Sequence, residues 1–125
     1  MEIDLSNVEL FETLLEFNIE GINVDLHNDY ELKSFNLLNN NDLRLVFLHN
    51  TSEQNIFLIF TEIEFVEFEL PILSDLTLDN FYRGRYEYES KLFDEFNEKK
   101  CFYIEFCGVG QLNLLCSKVI LDMNN

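Results

Sequence analysis

The residues able to do chemistry in this chain are few. Asp25-Leu26-His27-Asn28-Asp29 sets carboxylates beside an imidazole, the start of a metal site in principle. The second histidine, His49, falls on a different predicted strand, and a ligand set with motif spacing is missing from the sequence. The stretch therefore reads as a solvated turn before a strand, and no metal or other cofactor is expected. Cys101, Cys107 and Cys116 are the available thiol nucleophiles, with His27 and His49 as bases. No helix start follows any of these cysteines, and nearby acids raise a thiol pKa. All three sit in apolar alternating patterns and read as small buried hydrophobes. Gly108-Val109-Gly110 lacks the helix and Gly-Lys-Ser/Thr of a phosphate loop, so it reads as a turn.

Two further constellations are candidates for binding rather than catalysis. Glu62, Glu64, Glu67 and Glu69 form an acidic comb along one stretch, a rigid row able to meet a basic protein surface. Against this stands a plain solvated sheet face. Tyr82-Arg83-Gly84-Arg85-Tyr86 is the one basic island. Tyr and Arg anchor protein interfaces, so Tyr82, Arg83, Arg85 and Tyr86 are candidate hot-spot residues. The competing reading pairs the arginines with neighbouring acids. Stacking on single-stranded nucleic acid needs more positive charge than two arginines supply here.

Charge bounds the partners. The chain has 125 residues, 24 Asp and Glu against 8 Lys and Arg, and a formal net charge of −16. Such a field opposes nucleic acid and anionic membranes and attracts cationic proteins. The bland alternative is that acidity keeps a chain with 13 Phe soluble. An odd cysteine count, an acidic N-terminus without an apolar core and the absence of a long apolar run predict a reduced, cytoplasmic protein.

The elements that position these residues centre on Asn55–Pro71, NIFLIFTEIEFVEFELP. Apolar residues alternate there with period two, and the phase slips after Phe65, predicting one long central strand with a bulge near Phe65 and Val66. Pro71 should end it. Ser6–Phe17 predicts the only helix: Ser6 as cap, Glu9 at capping-box spacing, and Leu10, Leu14 and Phe17 on one face. Strands are predicted at Ile22–Leu26, Glu31–Leu38, Leu43–His49, Asn80–Glu89, Cys101–Cys107 and Leu112–Met123, the last bent or split. A turn falls at Asn39–Asp42, a looser stretch at Ile72–Asp79, and a loop or single helical turn at Ser90–Lys100. The expected fold is a single mainly β (α+β) domain: an antiparallel β-sandwich or partly open barrel of about seven strands with one N-terminal helix.

The runs LHNDYELKSFNLLNNNDLRLVF, IFLIFTEIEFVEFEL and FYIEFCGVGQLNLLCSKVIL resemble the small acidic β-rich immunity proteins of bacterial toxin systems. The resemblance implies a bacterial, cytoplasmic, non-catalytic protein that binds and neutralises one toxin domain. It transfers no inhibitory residue. The net charge of −16 makes a basic toxin domain the expected partner, and a monomer or homodimer is expected. Two other classes stay open: a structural or assembly subunit of a phage or secretion particle, pairing through strand edges, and a small enzyme using a carboxylate pair in a pocket.

Overall fold

A computed structural model describes residues 2–70, 76–108 and 110–124. Expectations for Pro71, for the first part of the Ile72–Asp79 stretch and for Val109 lie outside those residues. The described chain is mainly β, built of antiparallel sheets that do not close into a barrel. Among the described residues, thirteen strands stand where about seven were expected: β1 Glu2–Asp4, β2 Glu16–Ile19, β3 Ile22–Asp25, β4 Tyr30–Leu38, β5 Asp42–His49, β6 Asn55–Thr61, β7 Glu64–Glu69, β8 Leu78–Gly84, β9 Tyr86–Tyr88, β10 Lys91–Phe93, β11 Lys100–Phe106, β12 Gly110–Cys116 and β13 Lys118–Asn124. Five form one sheet in the order β1-β13-β6-β5-β4, and four a second in the order β7-β12-β11-β8. β2-β3 and β9-β10 are separate hairpins.

The two large sheets share one core. Leu43, Leu45 and Phe47 of β5 and Ile56, Leu58 and Phe60 of β6 face it fully buried, while Phe57 and Ile59 on the other side of β6 are half-buried. Phe60 meets Phe81 and Phe102 of the second sheet edge-on at 6.1 and 6.3 Å, and those two rings lie 6.0 Å apart. Edge-to-face packing suits the aromatic quadrupole. It ties the sheets together where Phe-rich strands cross.

The long central strand expected at Asn55–Pro71 is two strands in two sheets. The chain leaves β6 at Thr61, passes Glu62 in a left-handed conformation (φ 51°), and enters the second sheet as β7. The C-terminal chain makes the reverse change at Ser117, between β12 and β13. The two crossings lie side by side: Ser117 N–H donates to the Thr61 carbonyl at 2.9 Å, and Ser117 Oγ donates to Glu62 Oε2 at 3.0 Å. Asn80–Glu89 likewise divides, after Gly84, into β8 and β9.

The N-terminal helix is absent; Ser6–Phe17 is turns, a bridge and the start of β2. Its hydrogen bonds are drawn off by the sheets. Leu5 N–H donates to the Val119 carbonyl at 2.8 Å, and Ser6 Oγ accepts from Val119 N–H at 2.9 Å instead of capping a helix. Phe11 and Leu14 N–H donate to the Arg83 and Phe81 carbonyls at 2.7 and 2.8 Å, and Thr13 bridges Tyr82. The segment thus covers the outer edge of β8. A chain without Ala has little intrinsic helicity with which to resist such pairing.

Tight turns were less legible. Glu20-Gly21, Glu89-Ser90 and Asn97-Glu98 all have positive φ at both positions. Each links directly paired residues, as in two-residue hairpins of the I′ type. Only the first contains glycine. The Ser90–Lys100 region is therefore a hairpin strand and a second tight turn, not a helical turn.

Candidate functional site

β7 lies at the edge of the second sheet, paired on one side with β12. Its six residues are all exposed. The register with β12 runs Glu69–Gln111, Phe68–Leu112 and Glu67–Asn113, then shifts to Phe65–Leu114 and Glu64–Leu115. The shift leaves Val66 as the extra residue, at the position where the sequence phase slips. This bulge sorts the strand. Glu64, Glu67 and Glu69 share one face, opposite Leu115, Asn113 and Gln111, while Phe65 and Phe68 share the core-side face, opposite Leu114 and Leu112.

The core does not close over those rings. Phe65 and Phe68 remain 41% and 42% exposed. They meet edge-on at 5.2 Å, and Phe68 meets Phe35 of β4 at 5.6 Å. β4 is the edge strand of the other sheet, and its tip carries Leu37, 62% exposed. Two sheet edges and an aromatic strip therefore adjoin on one side of the molecule. Among the described residues, no strand pairs with the outer edge of β7. Phe35 and Leu37 were missed in the sequence because they continue an ordinary alternating strand pattern.

The acidic comb is shorter than expected. Glu64 pairs with Lys99 Nζ at 3.1 Å, and Glu67 and Glu69 stand exposed beside it. Glu62 is exposed at the crossing instead. Its N–H donates to Asp42 Oδ1 at 3.1 Å, and its carboxylate accepts from Ser117 Oγ. An open cleft of about 570 Å³ lies there, lined by Asn40, Asp42, Thr61, Glu62, Ser117 and Lys118.

The basic island is spent on internal contacts. Arg83 has a side chain only 13% exposed. Its Nη1 donates to the Val8 carbonyl and its Nη2 to the Asp94 carbonyl, both at 3.2 Å. Glu95 lies 3.8 Å away. Arg85 Nε donates to Asp94 Oδ1 at 2.8 Å, and its guanidinium lies 5.5 Å from the Phe11 ring centroid. The acids that meet these arginines come from the following loop, not from across the sheet. Tyr82 stacks on Tyr103 at 5.3 Å, and Tyr86 packs on Phe96 at 4.8 Å.

Among the thiols, Cys101 and Cys116 are buried as expected, but Cys107 is exposed. It lies one residue past the end of β11, where the apolar pattern has run out. Burial pushes the Cys116 thiol up to about 12 and raises Cys101. Burial and its approach to Cys101 raise the Tyr103 hydroxyl, which donates to the Arg85 carbonyl at 2.6 Å. Both buried thiols are thus held in the protonated form. His49 caps its own turn, its Nδ1 accepting from the N–H groups of Thr51 and Ser52 at 3.2 Å. Asp25 orders the turn that carries His27. Partial burial would raise its pKa, but hydrogen bonds from the Asn28 backbone and side chain and from His27 N–H lower it overall.

No helix among the described residues is long and apolar enough to cross a membrane. No protein-family model matches the chain, and no curated protein or solved structure matches it.

Proposed function

We propose that this protein is a non-catalytic protein-binding module whose docking surface is the β7 edge, and that its partner is a basic protein. The observation that carries the reading is β7 itself: a strand edge that no strand among the described residues pairs, with carboxylates on one face and half-exposed phenylalanines on the other. An extended segment of a partner can add to such an edge through main-chain hydrogen bonds, with alternate side chains read on the two faces. Lysine or arginine on the partner would meet Glu67 and Glu69, and apolar residues would cover Phe65 and Phe68. A net charge of −16 steers a cationic protein to it. An immunity protein neutralising a basic toxin domain in the bacterial cytoplasm fits this chemistry.

The free edge also favours a second reading, assembly with further copies of the same chain. A photo-crosslinking residue placed at Val66, with a control at Leu92, 64% exposed on β10, separates the two. In lysate of the source cell at low salt, the Val66 probe should capture one basic protein that the Leu92 probe does not, with the yield falling at high salt. Capture of the chain's own copies would establish the assembly reading. Equal capture at both positions, or capture of an acidic protein, would sink the proposal.

A further inference from the structure

Three side chains distant in sequence meet at the end of the second sheet: His27 from the turn after β3, Asp79 from β8 and Cys107 from the residue after β11. One ligand atom from each lies within 4.8 Å of the others. His27 is half-buried, and Asp79 and Cys107 are exposed. We propose that these three residues form a binding site for a zinc-class divalent ion, with a fourth coordination position open to solvent or to a partner.

Each ligand is held from behind. His27 Nδ1 lies 2.6 Å from the Leu78 carbonyl. A carbonyl only accepts, so Nδ1 carries a proton, and Nε2 is the nitrogen left to face an ion. A backbone carbonyl on one ring nitrogen is the arrangement that fixes tautomer and orientation in metal-binding histidines. The turn bearing His27 is pinned by Asp25, whose Oδ1 accepts from His27 and Asn28 N–H, both at 3.0 Å. Asp79 sits at a β-bulge: the β8–β11 register passes from Asn80–Glu105 to Leu78–Phe106 and leaves Asp79 extra. Bulges re-aim side chains at sheet ends. Cys107 is fixed by its N–H donating to the Thr77 carbonyl at 3.0 Å.

The donor set selects the ion. One thiolate, one imidazole and one carboxylate suit zinc and exclude magnesium and calcium, which take oxygen ligands. Tetrahedral bonds of about 2.0–2.3 Å put zinc ligands about 3.5 Å apart. The three atoms, all within 4.8 Å of one another, must therefore close by at most about 1.3 Å, which side-chain rotation supplies at exposed Asp79 and Cys107. On binding, the Cys107 S–H bond breaks, an Sγ–Zn bond forms, and the proton passes to buffer. Thiolate and carboxylate then balance the charge of the ion. The three ligands come from three separate segments, which is why no spacing in the sequence announces the site and why the expectation of no metal arose.

The test uses the whole reduced protein. Calorimetric titration with Zn(II) in excess Mg(II) should give one site. Co(II) should produce a thiolate charge-transfer band. Zn(II) should protect Cys107 from iodoacetamide, to which buried Cys101 and Cys116 do not respond in the folded protein. Cys107→Ser and His27→Gln should each weaken Zn(II) binding by about 100-fold or more, the upper end of what even an outer-shell loss costs. Asp79→Asn keeps the shape of an exposed residue and should weaken it too, at unchanged apo melting temperature. Several weak sites, competition by Mg(II), or undiminished binding by Cys107→Ser would overturn the proposal. The outcome is independent of whether a protein binds at β7.

Discussion

Arg83 decides how the basic island should be understood, and Arg83→Met tests it. The methionine keeps most of the apolar stem and removes the guanidinium. Two charge-assisted hydrogen bonds are lost, to the Val8 and Asp94 carbonyls. Such bonds contribute about 1.5–3 kcal/mol each. Both are at 3.2 Å, the long end of the range, and exposed Asp94 lets its carbonyl rehydrate. Glu95, at 3.8 Å and 55% exposed, adds less than about 1 kcal/mol. Against these stands Arg83 Nε, buried without a hydrogen-bond partner, whose desolvation cost disappears in the variant. The balance is a loss of about 2 kcal/mol. Urea unfolding followed by circular dichroism should show the midpoint falling by about 1 M, and the melting temperature by about 8 °C. Arg83→Lys reaches one carbonyl at a time and should lose about half as much. An unchanged Arg83→Met midpoint would refute the clamp, and if partner capture fell instead, Arg83 would be an interface anchor after all.

Two other outcomes follow from the same geometry. In Gly110→Ala the new Cβ would meet the Glu69 carbonyl oxygen, which is backbone and cannot swing away. β7 must then shift from β12, at a cost of about 1–3 kcal/mol; deuterium uptake over residues 64–69 should rise while uptake in β5 and β6 stays unchanged, and unaltered uptake in β7 would contradict the close approach. Stability should also decline in alkali. Cys116 is pushed from 9.0 to about 12 in the folded state, chiefly by burial. The unfolded thiol ionises first, so the contribution is whole below pH 9 and is lost as pH rises through about 12. Cys116→Ala should flatten that part of the pH profile, and an equally steep decline in the variant would assign it to other groups.

Most of the strands could be read from the chain because each keeps one face buried, and a period of two records that directly. β5 and β6 are examples, with Leu43, Leu45 and Phe47 and then Ile56, Leu58 and Phe60 facing inward. The bulge at Val66 was legible for the same reason, since the apolar phase slips by one there. The comb on β7 was legible as to which residues share a face, but not as to exposure. Whether Phe65 and Phe68 are covered depends on which strand lies beyond them, and only sheet order settles that. Ser6–Phe17 misled because helix capping and helical spacing are local signals. The Phe81 and Arg83 carbonyls that claim its N–H groups, and the Val119 N–H that claims the Ser6 hydroxyl, lie more than sixty residues away.

The sequence by itself determined a mainly β, strongly acidic chain, most of its strand-forming segments and the faces of those strands, because charge and alternation are properties of neighbouring residues. Tertiary structure alone decided which strands became edges, that the Asn55–Glu69 run crosses between sheets at Glu62, that Arg83 is held internally, and that His27, Asp79 and Cys107 converge. Those outcomes depend on pairing between segments far apart in the chain. A backbone donor or a side chain takes the best partner the fold brings to it, and that partner is not written in its own neighbourhood.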